Sequence, residues 1–353
     1  MAENRTGLSL DLIIHPGETV KEYLDETGMT QSELAIRTGV SEKHISKVVS
    51  GQSGISAVFA KKLEYATGAS AKFWLDLQAQ YDLEMMRAEE LKSLSPEEEA
   101  LIRKEFKEID SYLAEKHYVN NRAPIRERVL EYRELLNISN LLDIPGLKNP
   151  GIHSKDDAYR LTLWKKLCDL EAENNAVTVP FSAEKLTGKL PAIRKCMSLK
   201  EEEIPSKLKE ILKDCGISFV TVKPFHKIAA RTYIFRKAGK VNLCMTLEKQ
   251  YADMFWSSLF QDLGFILHND LKREYIDAKT EEEETFAADI LVPDTPYKEF
   301  LEEKGYSSLK NIGHFSKTIG AEPFAVIGRL LKDRYIDQNQ YIRYRKQYRW
   351  KEE

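Results

Sequence analysis

Apolar residues recur at helical spacing through the first 81 residues of the chain and predict a series of short helices. One helix begins near Pro16 and ends before Gly28. Two shorter helices follow and meet at Gly39, and two more occupy the segment that ends at Leu83. For these last two helices we expect the buried residues to be Val58, Phe59 and Leu63, and then Phe73, Trp74 and Leu77.

The pattern changes twice further along the chain. The next hundred residues are richer in charge and still helical, whereas two β-branched runs, Ile217–Val222 and Lys240–Leu247, have the length and composition of strands. Helical patterns return at Tyr251–His268 and Thr285–Val292. We therefore predict a multidomain protein with an all-α domain at residues 1–83, a helical connector at 84–200 and an α+β domain at 201–353.

The two central helices of the first domain carry the spacing of a helix-turn-helix. Counted from Gln31, Ala35 is fifth, Gly39 is ninth, and the apolar residues Val40, Ile45 and Val48 are tenth, fifteenth and eighteenth. A small fifth residue lets the helices cross closely, and glycine accepts the positive φ of the turn. Thr30 and Ser41 are suitable N-caps, and Thr30 with Glu33 predicts a capping box. This arrangement would present the second helix to a major groove.

Residues 14–83 resemble the HigA-like antitoxins, a branch of the Xre/Cro-type DNA-binding proteins. The resemblance rests on His15–Glu18 (HPGE), Met29–Ala35 (MTQSELA), Gly39–Ser56 and Phe73–Leu83. It implies a five-helix domain that binds double-stranded operator DNA as a homodimer and represses its own operon. It also implies a cognate toxin, which the protein neutralises by protein–protein contact within a type II toxin–antitoxin system.

Charge indicates where DNA would bind. The chain has 53 Lys and Arg against 56 Asp and Glu, a net charge of −3, which excludes a uniformly basic polyanion binder but not a local site. Residues 37–47 hold three positive groups and one negative group. We predict base-edge contacts from Lys43, His44, Ser46 and Lys47, and phosphate contacts from Gln31 and Ser41. Lys61, Lys62 and Lys72 are expected on solvated faces.

Residues 216–335 resemble the ImmA/IrrE-like metallopeptidases, which implies a zincin-like fold for the C-terminal domain. The resemblance rests on a strand pair, on the helix Phe255–His268, on Phe286–Pro293 and on Ala325–Ile336. In that family a His-Glu-x-x-His helix and a later carboxylate complete the metal site. Two histidines four residues apart share one helical face and can bind one Zn²⁺, while the glutamate activates water.

This chain departs from that metal site. Gln261 and Phe265 stand at the two histidine positions, Asp262 replaces the glutamate, and Glu282 is the expected match for the later carboxylate. We therefore predict a pseudoenzyme with a peptidase-like fold and without catalysis, metal or cofactor. A replacement site built from His268 and one glutamate is disfavoured, because a stable zinc site needs at least three good ligands.

These observations favour an antitoxin and transcriptional autorepressor that acts in the cytoplasm. No run approaches ~18 apolar residues, the N-terminus has no secretory pattern, and the four widely spaced cysteines suit reduced structural thiols. Two alternatives stay open. In the first, the protein is a prophage or stress regulator whose peptidase-like domain senses a ligand. In the second, it is an active metallopeptidase with a remodelled site around Asp262, His268 and Glu282.

The end of the chain interleaves basic and aromatic residues. Residues 340–350 read QYIRYRKQYRW, a composition that can bind nucleic acid or an acidic partner. Aromatic rings can instead pack on a domain while the cations stay in water. We prefer the packing interpretation, because related peptidase-like domains end similarly.

Overall fold

A computed structural model describes residues 13–144, 154–175, 177–228, 230–246, 251–277, 280–337 and 339–348. The chain divides into two compact units, Met1–Asp143 and Ile144–Glu353. The boundary lies within residues 84–200, the predicted connector. Among the described residues, no helix is long and apolar enough to cross a membrane. Of the stretch considered for a secretory pattern, residues 1–14, all but the last two residues lie outside the described part of the chain.

The first unit is helical. Its N-terminal helices are α1 (Pro16–Thr27), α2 (Gln31–Thr38), α3 (Glu42–Val49), α4 (Ala57–Thr67) and α5 (Ala71–Ser93). They are followed by α6 (Pro96–Leu101), a π-helical turn (Ile102–Phe106), α7 (Lys107–Glu115) and α8 (Ile125–Leu136). The five predicted N-terminal helices are confirmed, and α5 extends ten residues beyond the predicted end at Leu83.

Helices α1 to α5 share one apolar core. The buried residues at its centre include Leu34, Ile45, Val48, Phe59, Leu63 and Trp74. Two predicted core residues are wrong, since Val58 is 71% exposed and Phe73 is 43% exposed. Each directly precedes a buried aromatic residue, Phe59 or Trp74, and one residue turns a helix by about 100°. The larger neighbour therefore occupies the core and the preceding residue faces outward.

Helices α6 to α8 enclose charged groups as well as apolar ones. Glu98 on α6 is 1% exposed and accepts hydrogen bonds from Nε and Nη2 of Arg133 on α8, at 3.0 and 2.6 Å. Asp110 on α7 pairs with Arg128 and accepts a 2.8 Å hydrogen bond from the Tyr132 hydroxyl. These bonds join α6 and α7 to α8, so this part of the predicted connector is a packed part of the first unit.

The second unit combines helices with a small sheet. Its helices are α9 (Lys155–Asn174), α10 (Ala183–Lys195), α11 (Ile204–Asp214), α12 (Ala252–His268), α13 (Glu281–Leu291), α14 (Asp294–Glu302), α15 (Leu309–Thr318) and α16 (Pro323–Lys332). Its strands are β1 (Ile217–Val222), β2 (Thr232–Lys237), β3 (Lys240–Thr246) and β4 (Tyr275–Ile276). The sheet order is β1-β3-β2-β4, with β1 parallel to β3 and β2 antiparallel to both β3 and β4.

The core of the second unit forms around α12. The face predicted to be buried, Phe255, Leu259, Leu263 and Ile266, lies in this core. The two predicted strands are confirmed as β1 and β3, although Leu247 at the predicted end lies outside the described residues. All four cysteines belong to this unit and are buried and free of disulfides, as expected of reduced thiols.

The basic and aromatic end of the chain packs on the second unit. Tyr348 is fully buried, and its hydroxyl oxygen accepts a 2.8 Å hydrogen bond from Nε1 of Trp256 on α12. Arg345 donates to both carboxylate oxygens of Asp253, at 3.3 and 2.7 Å. The packing interpretation is therefore confirmed for these residues, while residues 349–350 lie outside the described part of the chain.

Candidate DNA-binding site

A sharp turn at Gly39 separates α2 from α3. Gly39 has a φ of +63°, and its N–H donates to the carbonyl oxygens of Ala35 and Ile36. Any residue with a Cβ would be strained at this φ. Lys62 on α4, expected only on a solvated face, donates from Nζ to the Gly39 carbonyl oxygen at 3.1 Å. The turn is therefore held both by its own backbone and by a neighbouring helix.

Only half of the predicted capping box forms at the start of α2. The Thr30 hydroxyl accepts the Glu33 N–H at 3.1 Å, as predicted. The Glu33 carboxylate instead accepts a 2.5 Å hydrogen bond from Arg37, one turn along the helix. An ion pair between residues four apart on an exposed helical face competes for the carboxylate. Among the described contacts, Thr30 therefore caps α2 without help from Glu33.

The recognition helix α3 has one buried face and one exposed face. Ser41 caps it by accepting the His44 N–H at 3.2 Å. Ile45 and Val48 are fully buried and fix the rotation of the helix about its axis. Lys43, Ser46 and Lys47, spaced three and four apart, are exposed together on the opposite side. The structure therefore places three of the four predicted base readers on one accessible face.

Positive charge without a local counter-ion is concentrated on this exposed face of α3. Within residues 20–74, Lys21 pairs with Glu18, Arg37 with Glu33, Lys61 with Glu64 and Lys72 with Asp76, while Lys62 binds the Gly39 carbonyl. Among the described residues, the Lys43 and Lys47 side chains have neither an ion pair nor a hydrogen bond. Their charges are therefore available to phosphates or to base edges.

The remaining predicted contact residues lie at the starts of α2 and α3. His44 is half-buried, and its ring packs edge-on against Phe59 with centroids 4.9 Å apart. Gln31 is the first residue of α2 and is half-exposed, and Ser41 is exposed at the N-cap of α3. The packing against Phe59 fixes the direction of the His44 imidazole, which is a useful property in a side chain that reads a base edge.

The His-Pro-Gly segment before α1 holds that helix against the end of α3. The His15 Nδ1 accepts the Gly17 N–H at 2.9 Å and thereby caps α1. A Cβ on Gly17 would lie 1.9 Å from the Val48 carbonyl oxygen, so only glycine allows this approach. The loop after α3 is held as well, because Gln78 on α5 accepts the Ile55 N–H at 2.7 Å. The sequence pattern indicates neither of these long-range contacts.

The His15 cap makes the stability of the first unit depend on pH. Burial lowers the pKa of His15 below its usual value, while the charges of Asp82 and Glu18 act in the opposite direction. The stabilisation is thus complete above the unfolded-state pKa of about 6.5 and is lost as pH falls through the lower folded-state pKa. We expect the wild type to lose more thermal stability than His15→Asn between about pH 7.5 and 5, since asparagine caps without titrating. Parallel pH curves for the two proteins would contradict this expectation.

The positions that match the peptidase site differ widely in environment. Gln261 is 8% exposed and donates from Nε2 to the Ser257 hydroxyl at 3.0 Å. Asp262 is fully buried, and Phe265, 5% exposed, packs edge-on against Tyr275. The side chain of Glu282, in the first turn of α13, is 74% exposed. The structure therefore does not place these four side chains in one shared environment.

A cavity of about 260 Å³ lies where α12, α13 and α16 meet. Its lining includes Gln261 and Ser257 from α12, Glu284 from α13, and Lys332 from α16. Lys332 and Glu284 form an ion pair of 2.6 Å. Glu284, in the first turn of α13, therefore lines this cavity together with Gln261. Glu282, in the same turn, is not among the lining residues.

Comparison with known proteins identifies the family of the N-terminal helices in the first unit. Residues 20–74 match the family described as helix-turn-helix, and the chain belongs to this family of DNA-binding domains through its N-terminal helices. Virulence-associated protein A′ of Dichelobacter nodosus is 43% identical over 70 residues, which are 20% of this chain and 61% of that protein. Virulence-associated protein I of the same organism is 41% identical over 73 residues, 20% of this chain and 68% of that protein.

Among solved structures, the Pseudomonas aeruginosa antitoxin HigA with the higBA promoter shows 35% identity to this chain. The match covers 24% of this chain and 96% of the antitoxin, with a TM-score of 0.22. The chain spans less than two thirds of the length of the first relative, virulence-associated protein A′.

Proposed function

We propose that this protein is a transcription regulator of the HigA-like antitoxin type, which binds an operator as a dimer and represses its own operon. The observation that carries the proposal is the exposed face of α3, where Lys43 and Lys47 have no counter-ion among the described residues. The buried Ile45 and Val48 hold this face outward. A rigid helix with free cations on one side is suited to the major groove.

The proposed contacts divide into base readers and phosphate ligands. Lys43, His44, Ser46 and Lys47 are proposed to reach base edges from the exposed side of α3. Ser41 lies at the N-terminus of α3 and Gln31 at the N-terminus of α2, where backbone N–H groups and the helix dipole favour phosphate oxygens. Because few cations take part, we expect the affinity to fall only moderately with added salt.

Selection from a pool of random DNA duplexes tests the DNA half of the proposal. We expect the full chain to enrich a palindrome, because a two-fold symmetric dimer places two copies of α3 in successive turns of one groove. The half-site centres should lie about one helical turn, ~34–36 Å, apart. Recovery of no enriched sequence at moderate salt would contradict sequence-specific binding.

For the second unit we propose a catalytically inactive, peptidase-like domain that binds a cognate toxin. Support comes from the side chains at the motif positions. The Gln261 amide donates to Ser257, and the Phe265 ring, which cannot ligate a metal, packs against Tyr275. The gene next to the one that encodes this chain can be expressed alone and together with it, which tests whether that gene encodes a toxin that this chain neutralises. Growth arrest that this chain does not relieve would contradict the proposal.

A ligand-sensing regulator is the second candidate, and the cavity beside Gln261 favours it. Its volume of about 260 Å³ is slightly below the ~300–1,000 Å³ of typical ligand pockets, and its wall mixes apolar side chains with charged ones. A small molecule that changes operator affinity without any toxin would favour this candidate. A peptidase using Asp262, His268 and Glu282 is disfavoured, since Asp262 is fully buried while the Glu282 side chain is 74% exposed.

A further inference from the structure

The end of α12 and the first turn of α13 bring together one imidazole and two carboxylates. Ligand atoms of His268, Glu282 and Glu283 all lie within 4.8 Å of one another. We propose that these three side chains bind one first-row divalent metal ion, with Zn²⁺ as the probe. This site uses neither Gln261 nor Phe265, and it is independent of the proposed DNA-binding function.

Glu283 provides a buried and firmly oriented ligand. The residue is 2% exposed, and its Oε2 accepts hydrogen bonds from the Thr280 N–H, at 3.0 Å, and from the Thr280 hydroxyl. Its Oε1 has a long 3.5 Å contact with the Asn269 side-chain amide. The capping box therefore occupies Oε2 and fixes the orientation of the carboxylate, and Oε1 can still act as a metal ligand.

His268 and Glu282 complete the set with little rearrangement. The His268 Nδ1 lies 3.7 Å from the Glu282 Oε1, and the ring is supported edge-on by Phe286 at 5.2 Å between centroids. Metal bonds of about 2.0–2.2 Å in a tetrahedron place neighbouring ligand atoms roughly 3.3–3.6 Å apart. The Glu282 side chain is 74% exposed and is therefore free to close this gap.

The surrounding charge and the donor types agree with a cation of this class. Residues 281–284 are four consecutive glutamates, and Glu284 is paired with Lys332 at 2.6 Å. A divalent ion would offset the repulsion among the other carboxylates of this turn. An imidazole nitrogen with two carboxylate oxygens favours Zn²⁺ or a similar transition metal over Ca²⁺ and Mg²⁺, which prefer oxygen ligands alone.

A competition titration tests the proposal. The untagged full chain is first stripped of metal with a chelator, and Zn²⁺ is then added in the presence of a chromophoric chelator that competes for it. We expect one Zn²⁺ per chain and at least ~10-fold weaker binding in both His268→Ala and Glu282→Gln, because each removes one ligand of three. Both side chains are partly or largely exposed, at 34% and 74%, so the variants should fold. Circular dichroism verifies that they do.

Two matched controls separate a built site from general attraction to acidic residues. Glu281→Gln removes a charge from the same turn without removing a proposed ligand, and His314→Ala removes another exposed histidine. Both controls should bind Zn²⁺ as the wild type does. Absence of stoichiometric binding would overturn the proposal, as would equal weakening in Glu281→Gln and Glu282→Gln.

Discussion

Replacing both Lys43 and Lys47 with alanine is expected to weaken specific operator binding by at least about 100-fold without unfolding the first unit. Among the described residues these side chains make no ion pair or hydrogen bond, so their removal costs no internal contact. A well-placed contact to a base edge contributes ~1–3 kcal/mol, and each factor of ten corresponds to ~1.4 kcal/mol. Two lysines in each of two protomers give four contacts, so even the low end of that range exceeds a 100-fold loss.

A mobility-shift titration at fixed salt measures this loss, and Lys72→Ala is the matched control. Lys72 lies in the first turn of α5 and pairs with Asp76 at 2.5 Å, so the control removes one lysine charge away from α3. Its operator affinity should stay within about threefold of the wild type, since exposed paired charges contribute little. Similar losses in the control and in the double variant would show that net charge, rather than the face of α3, determines binding.

The helix-turn-helix is predictable from sequence because its determinants are local. Thr30 and Ser41 start α2 and α3, and Gly39 takes the positive φ between them, all within twelve residues of chain. The partner choices of charged side chains are less predictable. Glu33 has two compatible partners within one helical turn, the Thr30 N–H and the Arg37 guanidinium, and only the folded geometry selects Arg37.

Some features of the second unit cannot be predicted from the sequence pattern. Strands β1 and β3 are apolar runs, but β2 ends in Arg236 and Lys237 and is absent from the prediction. Ala238 and Gly239 both have positive φ and join β2 to β3 as a hairpin. Gly239 suits such a turn, but alanine is not typical of it, so the sequence signal for this hairpin is weak. Long-range pairs, such as Trp256 with Tyr348, leave no periodic trace because 92 residues separate the partners.

Removing the buried carboxylate with Glu98→Ala is expected to destabilise the first unit by ~3–5 kcal/mol, because it leaves the Arg133 guanidinium buried without its main partner. The Arg133 side chain is 15% exposed and, among the described acidic residues, would retain Glu90, which it contacts at 2.5 Å. The Leu141 N–H would also lose its 2.8 Å acceptor. Burial alone would raise the pKa of Glu98, but the bonds from Arg133 and Leu141 outweigh it and hold the pKa below its usual value. The carboxylate is therefore charged at neutral pH, which makes its loss costly.

Urea unfolding of the full chain, with hydrogen exchange followed in α6 and α8, measures the effect of Glu98→Ala. Glu97→Ala is the matched control, because Glu97 shares the same first turn but is exposed, and its change should stay within about 0.5 kcal/mol. The double variant Glu98→Met/Arg133→Met should recover much of the loss, since paired apolar replacements leave no buried charge. If Glu97→Ala and Glu98→Ala destabilised the protein equally, the ion pair could not be what joins α6 to α8.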